Sequence, residues 1–283
     1  MLRKNMIKNA IVAVACSFTL FAAVPEATAG TGGSQATIRS AIRSTNADAI
    51  ISALEQAENI PCNSNCMSMV MDLLENDDYR IRQVAAWWFA RRPAQMRELT
   101  GQATAWLLGS STEARNGADI LGTFGYGKNI PLLETAAANG ALDSGARSAV
   151  IRALGNIGNM AANNTVASAM TDGDASVRLS AVQAWTGMLK QTSAEPVVAL
   201  ANDSDLKVRR AALATLGQFR VASARADLEN LVVSDDDAAV RRNAAWALGR
   251  IGDSSSRDAL LAASADASSL VRMTAKAALS KLR

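Results

Sequence analysis

The 283-residue chain contains no histidine. That absence excludes a Ser–His–Asp or Cys–His nucleophile system, a His-ligated metal and covalent haem attachment. The formal net charge is +3, but three of the cations and only one carboxylate lie in the first 29 residues; the remaining 26 Lys and Arg face 25 Asp and Glu, which gives no electrostatic case for a nucleic-acid partner.

Arg3, Lys4 and Lys8 make a basic start, residues 10–24 are apolar, and Ala27-Thr28-Ala29 puts small residues at the two positions a signal peptidase inspects. This order predicts a secretory signal peptide over residues 1–29, cleaved before Gly30, and a mature protein in the periplasm or secreted. The apolar run is shorter than the roughly 20 residues that cross a bilayer. It also continues past Cys16, where a lipid-attachment cysteine would end it. No other segment reads as a membrane span, so none is expected after cleavage.

Residues 30–36 (Gly-Thr-Gly-Gly-Ser-Gln-Ala) read as a flexible start. Residues 37 to about 58 read as one capping helix with Ile38, Ile42, Ile50, Ile51 and Leu54 apolar, so that 30–61 forms the N-terminal cap. Cys62 and Cys66 follow. In an exported protein they are most simply a disulfide. Their spacing can meet disulfide distances if the first lies just outside a helix, as Pro61 and Asn63 favour. A redox-active pair is one alternative. A Cu(I) site using Met67, Met69 and Met71 is another, since thiolate and thioether sulfur suit that ion. Alternate spacing does not put the three methionines on one helical face, and a Met-rich apolar helix is ordinary core. The expectation is a disulfide, with no metal and no cofactor.

From there one register recurs seven times. Arg82, Arg115, Arg147, Arg178, Arg209, Arg241 and Arg272 are spaced by 33, 32, 31, 31, 32 and 31 residues. Four residues before each lies Asp78, Ser111, Asp143, Asp174, Asp205, Asp237 or Ser268. A period of this length marks a solenoid of helix pairs. The fold predicted is all-α, a right-handed superhelical solenoid of antiparallel pairs, with residues 62–283 forming a single domain of seven pairs. The pairs run near 62–91, 95–124, 128–157, 160–188, 192–218, 222–250 and 254–283. The Asp or Ser is placed to cap the second helix, and the glycines of Leu154-Gly155, Leu216-Gly217 and Leu248-Gly249 to end it. Ala85, Ala118, Val150, Ala181, Ala212, Ala244 and Ala275, three residues after each arginine, are small enough for helices to approach closely.

The pattern Asp-x-x-Val-Arg-x-x-Ala-x-x-Ala-Leu-Gly, clearest from Asp237 to Gly249, resembles the HEAT family in its short, phycobilin-lyase-type bacterial form. The likeness covers roughly residues 62–283. It implies that the Asp and Arg residues join neighbouring layers in a ladder of ion pairs, which makes the seven arginines structural. Lyases of this class attach bilins in photosynthetic cytoplasm, which the signal peptide argues against. Deoxyhypusine hydroxylases share the repeats but bind iron through His-Glu pairs that this chain lacks.

Positions one and five residues after each arginine share a helix face and vary from repeat to repeat, which predicts a solvent-facing, concave surface. Trp87, Arg152, Arg210, Arg242 and Trp246 are the candidate protein-binding residues there, because Trp and Arg are enriched in interface hot spots. Each tryptophan could instead lie over a neighbouring helix. Trp88, Phe89 and Trp185 fall at core positions. No catalytic cluster announces itself. The function expected is a non-catalytic exported adaptor or scaffold for a protein partner. A metal- or cofactor-handling accessory protein, or a lyase-like accessory enzyme, is the alternative. The oligomeric state is not fixed by the sequence.

Overall fold

A computed structural model describes residues 33–282; the signal-peptide expectation lies outside them. All regular structure among these residues is helical, in eight stacked antiparallel pairs. The cap is two helices, Gln35–Ser44 and Ala47–Gln56, where one was expected. Thr45 adopts a left-handed φ of 54°, and the Asn46 side chain accepts from the Ala49 amide to start the second helix. Ala47–Gln56 stacks on Tyr79–Phe89, and Gln35–Ser44 packs against Ser64–Asp72. The cap is therefore an eighth layer in the common register. Asn46, Ile50 and Ala53 lie one full repeat before Asp78, Arg82 and Ala85. Ile50 at the arginine position concealed it in the sequence.

The seven further layers pair Ser64–Asp72 with Tyr79–Phe89, Pro93–Trp106 with Ser111–Phe124, Ile130–Ala137 with Ser144–Ile157, and Asn163–Ala169 with Ala175–Gly187. They continue with Glu195–Asn202 and Leu206–Phe219, Arg225–Ser234 and Ala238–Ile251, and Arg257–Ala263 and Ser269–Leu279. Glu195–Asn202 is 3₁₀ in geometry. The small residues three after each arginine are all fully buried. Each layer is thin, so the core is a continuous column and no layer encloses its own.

The glycines expected to end the second helices do something else. Gly155, Gly217 and Gly249 sit inside their helices, which continue to Ile157, Phe219 and Ile251. A Cβ on Gly155 would lie 2.6 Å from the Ala184 Cα of the next layer, and one on Gly249 2.8 Å from the Ala278 Cα. They are glycine because the helix backbones nearly touch there. The left-handed termini fall three residues later, at Gly158 and Gly252, and at Arg220 in the Leu206–Phe219 layer.

The ion-pair ladder is present, but its carboxylates are not those of the motif. Asp78, Asp143, Asp174, Asp205 and Asp237 cap their own helices. At Ser111 the cap has moved one residue, to Ser110 in a capping box with Glu113, and Ser268 makes no side-chain cap bond. The arginine partner is the residue two before the motif aspartate. Arg147 binds Asp172, Arg178 binds Asp203, Arg209 lies 3.3 Å from Asp235, and Arg241 binds Asp266. Each of these aspartates also accepts its own turn's backbone amide two residues on, as Asp203 accepts from Asp205. Its carbonyl receives the next arginine, as Asp203 receives Arg209 at 2.8 Å. An unbroken chain thus runs from Arg147 to Arg272. Arginine hydrogen bonds hold the Asp172, Asp203 and Asp266 carboxyls below the ordinary carboxylate range, against burial, which pushes them up.

At the N-terminal end Cys62 and Cys66 form a disulfide with Cα atoms 5.5 Å apart. It fastens the loop from the cap to the next layer. On the other side of that loop Arg92 donates to the carbonyls of Glu58 and Ile60, while its guanidinium stacks on the Trp88 ring. Trp88 Nε1 donates to the Ala57 carbonyl at 3.0 Å. Burial lowers the Arg92 pKa to about 10, so the clasp stays cationic at neutral pH.

Candidate binding surface on the second helices

Positions two before, and one, five and nine after, each motif arginine fall on one face of a second helix. Tyr79 and Asn156 lie two layers apart, yet the Asn156 amide reaches the Tyr79 hydroxyl at 3.5 Å. Side chains therefore meet across the intervening Ser111–Phe124 layer beside this face.

The face divides into a closed half and an open half. In the closed half the Ser111–Phe124 layer is recessed. Asn116, Ile120 and Ser148, expected at the solvent face, are buried. The cause is a charge cluster. Gly109 occupies the position at which the last four layers place a turn aspartate for the preceding arginine, so Arg82 turns to Asp119 instead, at 2.8 and 2.7 Å. Both residues are almost fully buried. Arg152 closes over Asp119 from the opposite layer at 2.8 Å and stacks on Tyr79, 3.9 Å from the ring centroid. Arg152, a predicted binding residue, is thus engaged in a layer-to-layer bridge. Asp119 was the missed residue. Its signal was available: Ala86, Ile151, Val182, Leu213 and Ala245 hold the equivalent positions in the other inner layers, and only the exposed Lys276 of the last layer is also charged, so one acid interrupts an otherwise apolar run.

The open half spans the last three layers. Lys207, Arg210, Ala214 and Gln218 share the face with Ala239, Arg242, Trp246 and Arg250, and with Leu270, Met273 and Ala277. No Asp or Glu occurs within Leu206–Phe219, Ala238–Ile251 or Ser269–Leu279; the acids sit in the turns, as helix caps and ladder partners. Trp246 is 38% exposed, Leu270 56% and Met273 67%. Among the described residues Arg242 is exposed and meets no carboxylate, only the Asn243 side chain at 3.4 Å. Arg250 lies 5.9 Å from the Trp246 ring centroid, with its Nε buried and lacking a hydrogen-bond partner.

The other predicted residues are placed as follows. Arg210 donates 3.1 and 2.6 Å hydrogen bonds to Asp237 of the next layer, which lowers that carboxyl's pKa. Trp246 rests on Gly217 of the preceding layer, where an added Cβ would collide with its ring. It therefore covers a neighbouring helix and still offers an edge to solvent. Trp87 is half-buried, far from the open half, with Arg91 5.2 Å from its ring centroid. Trp88, Phe89 and Trp185 are in the core. Met67 and Met71 pack against the core, and no group of three or more Cys, Asp or Glu gathers to hold a metal among the described residues. No helix among them is long and apolar enough to cross a membrane.

The family model for HEAT repeats matches residues 193–280, and the same register runs through the layers before them. Residues 193–280 are thus matched as HEAT repeats, and the described chain as a whole has the fold of a HEAT-like helical solenoid. Solved structures agree on the fold. Importin beta matches with a TM-score of 0.61 and 14% identity, over 88% of this chain and 41% of that one. Kap95p, in a structure with RanGDP, gives 0.56 and 14%, over 88% and 38%. An Escherichia coli protein, YibA, gives 0.55 and 14%, over 93% and 99%. No curated protein matches the sequence.

Proposed function

We propose that this chain is a non-catalytic exported adaptor that holds a protein partner on the second-helix face of its last three layers. The observation that carries this reading is the open surface around Trp246. It combines an aromatic edge, two exposed apolar side chains and the uncommitted Arg242, beside a core that is otherwise closed. Such a mixture suits a protein interface, where a few aromatic and arginine anchors dominate binding. Importin beta and Kap95p share the architecture, and Kap95p binds RanGDP. Export is supported by the basic–apolar–small order of residues 1–29 and by the Cys62–Cys66 disulfide, a bond that persists in oxidising compartments.

The test is photo-crosslinking in the native host, with a benzophenone amino acid at the exposed position 277, on the same face as Trp246 and with Arg242 intact, and a control at the exposed, first-helix Arg257. The expected outcome is a discrete protein adduct from position 277 that position 257 does not give. Equal or absent adducts at 277 would remove the adaptor reading.

A further inference from the structure

We propose that the segment held at this surface is an extended, acidic stretch of a partner protein carrying an apolar side chain for the Trp246–Met273 patch. The proposal rests on the adaptor reading above and adds the chemistry of the occupant.

Charge distribution is the first argument. Across the last three layers the face positions carry Lys207, Arg210, Arg242, Arg250 and Lys281 and no carboxylate. Arg210 is neutralised by Asp237, whereas Arg242 is exposed and meets no acid among the described residues. A partner carboxylate at Arg242 would engage its free donors through the short charge-assisted bonds that arginine makes. Trp246 lies one helical turn from Arg242 on the same face, so an acid held there brings its neighbours toward the ring.

The rim is the second argument, and it separates a peptide from other anions. Asp205, Asp236 and Asp237 line the edge where the second helices begin. Arg220 and Arg250 lie toward the opposite edge, where the helices end. A broad polyanion, such as a duplex or an anionic membrane, would meet the acidic rim at the same time as the basic strip. A single extended chain can follow the strip alone.

Spacing is the third. Packed helices lie about 8–10 Å apart and an extended chain advances about 3.3 Å per residue, so every third side chain meets the next layer. An acid opposite Arg242 thus places the residue three further along near Met273 or Leu270 of the last layer, where the surface is apolar.

The test uses the full mature chain and a fluorescein-labelled peptide of about 12 residues, long enough to cross the three layers, with two Glu residues three apart, to face Arg210 and Arg242, and Leu three residues after the second Glu. Fluorescence anisotropy should show saturable binding that weakens about ten-fold or more when Glu is replaced by Gln, or when Arg242→Glu is introduced. Leu→Ser in the peptide and Trp246→Ala in the protein should each weaken it, and Arg257→Glu should not. Equal binding of the Gln peptide overturns the proposal. So does Arg242-dependent binding of single-stranded DNA or phosphatidylglycerol vesicles without binding of the peptide. The two readings fail separately. A crosslinked partner at position 277 whose captured segment lacks acids leaves the adaptor standing and removes the acidic occupant, whereas no adduct at 277 removes both.

Discussion

Arg178 holds Asp203 of the next layer with hydrogen bonds of 2.7 and 2.8 Å, and its remaining donors reach the Asp172 and Gly173 carbonyls of its own turn. One guanidinium therefore ties two turns together, and the Asp203 carboxylate is only 5% exposed. Arg209 makes the weaker version of this joint, 3.3 Å from Asp235, with its Nε lacking a hydrogen bond. Arg178→Ala should destabilise the protein by about 3 kcal/mol, because it strands a buried carboxylate. Arg209→Ala should cost about 1–2 kcal/mol. Urea denaturation of both variants checks the ranking, and an unchanged midpoint for Arg178→Ala would remove the ladder as a source of stability.

The ladder also sets a pH dependence. The folded pKa values of Asp172, Asp203 and Asp266 are depressed, so their stabilisation is fully present above the unfolded value of about 3.9 and is lost as pH falls through the folded values. Denaturation midpoints measured from pH 7 to pH 2.5 should hold steady above about pH 5 and drop below about pH 4. Asp203→Asn should lower stability at pH 7 and flatten the acid limb, since one of the linked carboxylates is gone. An acid limb as steep as the unmodified protein's would assign the effect to other groups.

The repeat was legible because layer packing fixes it. Small residues at Ala85 through Ala275 and the arginine period follow from helices stacking at constant distance. Three things were hidden by the same regularity. The cap's second helix keeps the register but replaces arginine with Ile50, so a search for the charge missed it. The motif aspartate stands closer to the eye than the true ladder partner two residues earlier, and only side-chain geometry separates a helix cap from an ion-pair partner. Asp119 was readable only as an exception in an otherwise apolar run. At the candidate surface, sequence variation found Arg242 and Trp246 on an open face. It could not show that Arg152 and Arg210 were already bound to Asp119 and Asp237.

The buried cluster gives a prediction that isolates its charge. Asp119→Leu should cost about 3–5 kcal/mol, because Arg82, 3% exposed, loses the carboxylate it pairs with. Adding Arg82→Met should recover much of that loss, since a buried pair replaced by apolar groups is often close to neutral. A double-mutant cycle from equilibrium denaturation measures this. Additive losses would mean that Asp119 acts through Arg152 or through packing, and not through Arg82.

Glycine chemistry makes two opposite predictions. Gly155→Ala forces a Cβ to within 2.6 Å of the Ala184 backbone and should destabilise by about 1–3 kcal/mol. Arg220 is exposed and held at φ 53°, a conformation glycine adopts freely, so Arg220→Gly should stabilise by about 0.5–1 kcal/mol. Thermal melting in both variants checks the signs, and a destabilising Arg220→Gly would mean that its side chain contributes more than its backbone costs.

Trp246 carries the last prediction, because it is at once a packing residue and the proposed anchor. Its ring covers Gly217 of the preceding layer yet remains 38% exposed, whereas Leu248, two residues on, is fully buried. Leu248→Ala leaves a cavity in the column and should cost about 3 kcal/mol, while Trp246→Ala should cost about 1 kcal/mol, since solvent can fill the space it leaves. Gly217→Ala should be severe in the natural background and milder with Trp246→Ala, because the collision with the ring disappears; it will not vanish, as the Ala247 Cα lies 2.9 Å from the added methyl. Thermal melting of the four variants checks the order. If Trp246→Ala melts as early as Leu248→Ala, the ring belongs to the core, and the open face loses its aromatic anchor while keeping Arg242 and Met273.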